Sequence, residues 1–363
     1  MIILVILIIA LSLYGAHIFW TKGAPSPLCR EQTTAINGIF VLMVFVDHFV
    51  QRAVRCGYGM EGLGDGCYTV FRSMLLQLHV VSFLSFSGYG IMESIKKKGD
   101  AYIDGIPRLR FFPVWANFAI GVLVIALLNC ILGIQFPVQK FFTALIGWHS
   151  IWNPSWFIFC ILWCYASVYI SFRLLRLHWL SARLHIARLA GVFGVVSFCM
   201  VYILLHLKLR PERTWNYNTI LAFPFGFILS LTKDRWRMVA QRYWPVLFVM
   251  MVFVFCYLNE NYRFRWYGLG ENICGCVFIL VIILLSMKVK IGNMWLSWLG
   301  RHVFSIYMYQ FVFFILLEKY TAPSMTSQCA VFVSFAGCLG LTLLTAHLSR
   351  FWMVDPHRRT HEQ

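Results

Sequence analysis

The sequence predicts an all-α fold, a polytopic membrane helix bundle of about eleven transmembrane helices, a ten-helix core behind one N-terminal helix. Three observations predict it. Sixty per cent of the 363 residues are hydrophobic and only 12% are charged, roughly half the charged fraction of a soluble domain. The mean hydropathy is +0.72. Apolar runs of spanning length follow one another with short polar breaks, and the basic residues gather in alternate breaks.

The first run, 2–20, opens the chain. Gly15 and Ala16 are small enough for a signal-peptide cleavage site, but no basic stretch precedes the run, so a retained helix is expected. The second, 34–51, follows Thr33 and Thr34, either of which can cap a helix. The third, 72–94, runs into Lys96, Lys97 and Lys98, and the fourth, 111–134, follows Arg108 and Arg110. Pro154 opens the fifth, 154–173, and the sixth is 185–207. The seventh, 217–232, is short and holds Pro224 and Gly226, so a kink or break is expected there. The last four are 243–258, 268–288, 302–318 and 328–350.

Most of the 31 Lys and Arg fall in alternate loops, which assigns those loops and the C-terminus to the cytoplasm. With eleven spans the N-terminus then lies outside. Residues 1–33 read as an N-terminal helix and short cytoplasmic loop, 34–352 as one membrane domain and 353–363 as a cytoplasmic tail. The net charge of +17 is spread over these loops, so it reads as topology and not as a nucleic-acid surface. Most of the 12 cysteines lie inside apolar runs as small hydrophobes. Cys56 and Cys67 lie instead in a polar, Gly-rich stretch, 52–71, read as an outer loop where they can pair if it is oxidising. No metal site is expected.

An ionisable residue inside a span is a functional candidate. The sharpest is His48, beside Asp47 near the outer end of the second run. Asn37 lies almost three turns earlier on the same helix face, about 16 Å along the axis. His79 and Glu271 are expected in the outer half of the membrane, as partners for this site. Arg108 and Arg110 stand at an expected cytoplasmic helix start, where guanidinium groups and the helix dipole suit phosphate.

Several of these segments together resemble the membrane-bound acyltransferase-3 family. Its first signature is an Arg followed after ten residues by a His; His48 matches the His, and Asn37 stands where the family has Arg or Lys. Ser87-Gly88-Tyr89-Gly90, Arg108-Leu109-Arg110-Phe111-Phe112-Pro113, Trp152-Asn153-Pro154-Ser155-Trp156-Phe157 and Leu299-Gly300-Arg301-His302-Val303-Phe304-Ser305-Ile306-Tyr307 are similar to its later motifs, in order. The resemblance implies a membrane O-acyltransferase, an O-acetyltransferase by expectation. It would move an acyl group from cytoplasmic acyl-CoA, with acetyl-CoA the expected donor and no metal, to a hydroxyl of an extracytoplasmic carbohydrate. His48 would be the general base, with Asp47 beside it. Arg108, Arg110, Asn37 and Ser87 would hold the donor, and Trp152, Asn153, Trp156, Glu271 and His79 the acceptor. The location implied is a cell membrane, either a plasma membrane or a bacterial inner membrane. The alternative is a multi-pass transporter or flippase for a polysaccharide precursor, but no matched pair of interrupted helices and no internal repeat supports it.

The topology is open to a direct test. A cysteine placed at Asp100 should be shielded from a membrane-impermeant thiol reagent in intact cells. Labelling there would invert the assignment.

Overall fold

The computed structural model describes residues 1–19, 28–174, 184–263, 268–321 and 325–354. Residues 20–27 of the first loop and 355–363 of the tail lie outside the described residues. The chain forms α1 (Ile2–Leu13), β1 (His17–Ile18), α2 (Arg30–Arg55), α3 (Leu63–Leu75), α4 (Leu78–Lys98), α5 (Asp100–Ile106), α6 (Phe112–Ile131) and α7 (Val138–Ala144). There follow α8 (Trp156–Leu174), α9 (Leu184–Leu209), α10 (Ala222–Leu231), α11 (Lys233–Asn261) and α12 (Leu269–Ser286). The last elements are β2 (Val289–Lys290), α13 (Met294–Arg301), α14 (Val303–Thr321) and α15 (Gln328–Ser349). The two short strands pair antiparallel, His17 with Lys290 and Ile18 with Val289.

Nine helical runs among the described residues are long and apolar enough to cross a membrane, and two shorter apolar helices, Ile2–Leu13 and Ala222–Leu231, accompany them. Each falls on one of the eleven predicted runs. The protein is thus an all-α, multi-pass membrane protein. Large apolar side chains such as Leu127, Phe193, Phe253 and Val333 are exposed on these helices, as a lipid-facing surface requires.

Four local features depart from the sequence reading. The stretch 52–71 is not a loop: α2 continues to Arg55, and α3 is a separate helix ending at Leu75, after which Leu76 turns at φ +39° into α4. Glycines at 57, 59, 62, 64 and 66 gave the stretch its loop character, but a tertiary contact orders it, Tyr58 Oη donating to Asp65 Oδ2 at 2.7 Å. Burial, then that hydrogen bond and charge, pushes the Tyr58 phenol up to about 12. Cys56 is buried, Cys67 is exposed, and neither is in a disulfide.

The second departure lies around Arg108 and Arg110. No helix starts there. After a turn at Gly99 (φ +57°), α5 leads through a π-helical turn, Pro107–Phe111, into α6. The wider turn accommodates Pro107, which has no N–H to give, and Phe112 N–H reaches back to Pro107 O. Third, Pro224 does not kink its run. It sits in the first turn of α10, where backbone N–H groups lack intrahelical partners anyway, so the run is shortened instead. Fourth, α11 is broken at Tyr243 (φ −117°, ψ 26°), just before Pro245. The proline ring cannot follow a regular turn, and the break divides the basic stretch Lys233–Arg242 from the apolar remainder.

The chain divides into two compact units. The first comprises Met1–His79, Asn117–Ser155 and Val289–Val354; the second, Val80–Ala116 and Trp156–Lys288 together with residues beyond 354. In the first, α2 and α13 meet backbone to backbone. A Cβ on Gly38 would lie 2.1 Å from Leu296 O, and one on Gly300 would lie 1.8 Å from Thr34 O. In the second, Gly88 of α4 lies against Phe223 O, and Gly226 of α10 against Ser85 O, each leaving 2.1 Å for a Cβ. Both are the close approach that small residues permit between membrane helices. The Trp244 Nε1 donates to Leu284 O at 2.7 Å and ties α11 to α12.

Gly300→Ala should therefore lower the thermal unfolding midpoint in detergent, by the 1–3 kcal/mol typical of overpacking. Gly340→Ala, with nothing within 4 Å of the added carbon, should leave it unchanged or raise it. Equal behaviour of the two variants would remove the contact from the stability of the bundle.

Candidate active site

His48 lies in the last third of α2 and faces α14. Its ring meets Phe311 edge-on at 5.2 Å between centroids and Tyr307 at 6.3 Å, and the fully buried Gln310 amide faces it. Tyr307, Gln310 and Phe311 recur at i, i+3 and i+4, so one face of α14 makes this wall. The His48 Nδ1 is buried and makes no hydrogen bond among the described residues. A neutral imidazole has one ring nitrogen that accepts a proton. Toward the other end of α2, Asn37 is half-buried, and its Oδ1 likewise has no hydrogen-bond partner among the described residues. The two lie on one helix face, about 16 Å apart.

Asp47 serves another contact. Neighbouring side chains on a helix diverge by about 100°, and Asp47 points to α3, where it is ion-paired with Arg72 and accepts from Gln51 Nε2 at 2.9 Å. His79 is buried and lines, with Asp47 and Arg72, a cavity of about 20 Å³. These three are thus brought together, on a side of α2 that His48 does not face.

One turn beyond His48, Arg52 pairs with Glu318 of α14 at 2.8 Å. Its guanidinium lies 5.6 Å from the centroids of both Phe311 and Trp152, a cation–π geometry. Trp152 has φ +77°, a conformation that costs a non-glycine residue about 1–3 kcal/mol. The loop pins it. Asn129 Nδ2 donates to Ile151 O at 2.8 Å, Ile151 N donates to Asn153 Oδ1 at 2.8 Å, and Ser150 Oγ donates to Asn153 O at 2.6 Å. Asn153 is buried and shapes this loop, which presents Trp152. Trp156 opens α8 in the second unit and packs edge-on against Phe157 at 5.9 Å.

Arg52, Glu318, Gln310 and Phe311 were missed in the sequence, and Tyr307 was read only as the end of a family-like motif. The i, i+4 spacing of His48 and Arg52 was a usable signal, obscured by ending the span at residue 51.

In the second unit, Arg110 Nε donates to Tyr102 Oη at 3.2 Å, and the same guanidinium interacts with Tyr165. Tyr165 Oη lies 3.2 Å from Ser87 Oγ. The expected donor residues Arg110 and Ser87 therefore share one cluster, joined by Tyr165. Arg108 does not join it: it is exposed, because side chains two apart on a helix do not face each other. Lys96 is engaged by Glu93 at 2.6 Å, and Lys233 by the same carboxylate at 3.3 Å. Glu271 is buried, accepts from Asn218 Nδ2 at 2.6 Å and faces Arg263 at 3.9 Å. Among the described residues no cluster of His, Cys, Asp and Glu has the makings of a metal site.

The membrane bundle thus carries a half-buried histidine against an aromatic wall, with a guanidinium one turn away. The chain belongs to the acyltransferase-3 family: the model of its acyltransferase domain matches residues 34–347. It is therefore an acyltransferase, moving groups other than aminoacyl, and the transporter reading falls. No curated protein and no solved structure matches the chain.

A double-mutant cycle tests the Asp47–Arg72 pair. Asp47→Asn and Arg72→Gln should each lower unfolding stability, and the double variant should lose less than their sum, by about 0.5–1 kcal/mol for a half-exposed pair. Strict additivity would mean that the pair holds nothing.

Proposed function

We propose that the protein is a membrane O-acyltransferase that takes an acyl group, acetyl by expectation, from cytoplasmic acyl-CoA and delivers it to a hydroxyl of an extracytoplasmic carbohydrate. The observation that carries the reading is the His48 Nδ1: a buried ring nitrogen with no hydrogen-bond partner among the described residues, on the same helix face as the Asn37 Oδ1, which has none among them either. Leaving such atoms unmatched is unfavourable by about 1–3 kcal/mol each, and a polar substrate along this face would satisfy both.

In the proposed step the acceptor hydroxyl gives its proton to His48 as its oxygen attacks the thioester carbon. The C–S bond breaks, the new ester forms, and the CoA sulfur leaves and takes up the proton. Asn37 contributes an amide that both donates and accepts, in place of a cation. Arg110 is assigned to a phosphate of the donor. One of its five N–H groups is engaged by Tyr102, which leaves others for a bidentate contact. Ser87 and Tyr165 sit beside it. Arg52 and Trp152 are assigned to the acceptor: an aromatic face suits the apolar face of a sugar ring, and the guanidinium suits its hydroxyls.

Purified protein in lipid, given radiolabelled acetyl-CoA and a glycan acceptor, should transfer label. His48→Ala should reduce transfer about 10²–10⁴-fold, the usual range for loss of a general base, with donor binding intact. Full turnover in a folded His48→Ala protein would sink the assignment. Arg110→Gln should weaken donor binding whereas Arg108→Gln should not; the reverse pattern would return Arg110 to a packing role.

A further inference from the structure

The first unit holds a second, larger cavity of about 640 Å³, within the usual range for small-molecule sites. Its walls are apolar, among them Leu42 of α2, Leu299 of α13, and Leu339 and Leu343 of α15; Trp298, Arg301 and His347 complete its lining. From Leu339 to His347, α15 rises about 12 Å. The cavity thus begins deep in a spanning helix and reaches the charged helix end.

That end is unusual in its charge. His302 stacks on Trp298 at 4.3 Å, and His347 lies on the same indole at 6.5 Å. Burial lowers the pKa of His302, and the nearby Arg301, His347 and Arg350 add to the effect. Among the described residues none of these four is paired with a carboxylate. The cations at the other end of the unit behave differently, Arg52 being held by Glu318 and Arg72 by Asp47. Arg301 and His347 also differ from ordinary loop cations, because they border an apolar cavity.

We propose that this cavity is a binding site for an anionic phospholipid of the adjoining leaflet. Its phosphate would sit against Arg301 and His347 beside Trp298, and an acyl chain would run along Leu299, Leu42 and Leu343. A basic pocket between membrane helices is the chemistry that selects anionic headgroups, and the indole is suited to the interface. A zwitterionic lipid would fill the apolar part equally well but leave the cations without a net countercharge.

The full-length protein, exchanged into detergent with equimolar phosphatidylglycerol and phosphatidylcholine, should retain phosphatidylglycerol in native mass spectrometry. About one molecule should stay per chain, with at least tenfold preference. Arg301→Gln/His347→Gln should abolish the preference, and Arg301→Lys/His347→Arg should restore it. Leu343→Trp, which fills the cavity and leaves the charges in place, should exclude the lipid. If the charge-removed variant does not fold, the charge-keeping and cavity-filling variants still decide the matter. Equal retention of both lipids, or lipid retained by Leu343→Trp, would overturn the proposal. Displacement of phosphatidylglycerol by a long-chain acyl-CoA would assign the cavity to the acyl donor, and a chain dimer that excludes lipid would assign it to a second copy; either overturns it too.

Discussion

The first unit depends on the backbone contact between α2 and α13. With Leu296 O and Thr34 O where the Cβ atoms of Gly38 and Gly300 would stand, the two helices cannot slide or rotate past one another without a clash. From α13 the chain turns at His302 directly into α14. The face of α14 that carries Tyr307, Gln310 and Phe311 therefore inherits its register against α2 from that contact. His48 lies about 15 Å along α2 from Gly38, yet what it faces is set there. This is how a membrane protein fixes geometry without a hydrophobic drive between helices, which lipid tails largely cancel.

The charges near the same end of α2 follow from helix geometry. Asp47, His48, Gln51 and Arg52 crowd into little more than one turn, but they fall on two faces: Asp47 with Gln51, and His48 with Arg52 against Phe311. Asp47 is neutralised by Arg72 of α3, and Arg52 by Glu318 of α14. An unpaired charge in a low-dielectric setting is strongly unfavourable, so each partner also positions the helix that supplies it. His48 is left facing aromatic rings and an amide. Asp47, adjacent in sequence, is a separate part of the structure.

The bundle was legible in the sequence because hydropathy and loop charge report the bilayer directly; all eleven runs coincide with helices. Helical spacing also placed His48 and Asn37 on one face of their helix. What failed had local composition working against tertiary context. Five glycines disguised α3 as a loop, although Asp65 is fixed by Tyr58. A helix start was expected at Arg108 and Arg110, but a π-helical turn carries the helix through them. Partners such as Glu318 and Gln310 were out of reach, since nothing in one sequence says which face of α14 meets α2.

Asn37 ties these threads together. On the proposed reading a cation at that position would meet the charge of the donor, and an amide there cannot. Arg110, assigned to the donor phosphate on that same reading, has features of its own that suit an anion. Its guanidinium is half-buried and is held by a phenol, with no carboxylate paired to it among the described residues. Lys96 and Lys233, in the same unit, are already committed to Glu93. Among the cations that the sequence offered for the donor, Arg108 is turned outward, so only Arg110 combines burial, unused N–H donors and a neutral partner.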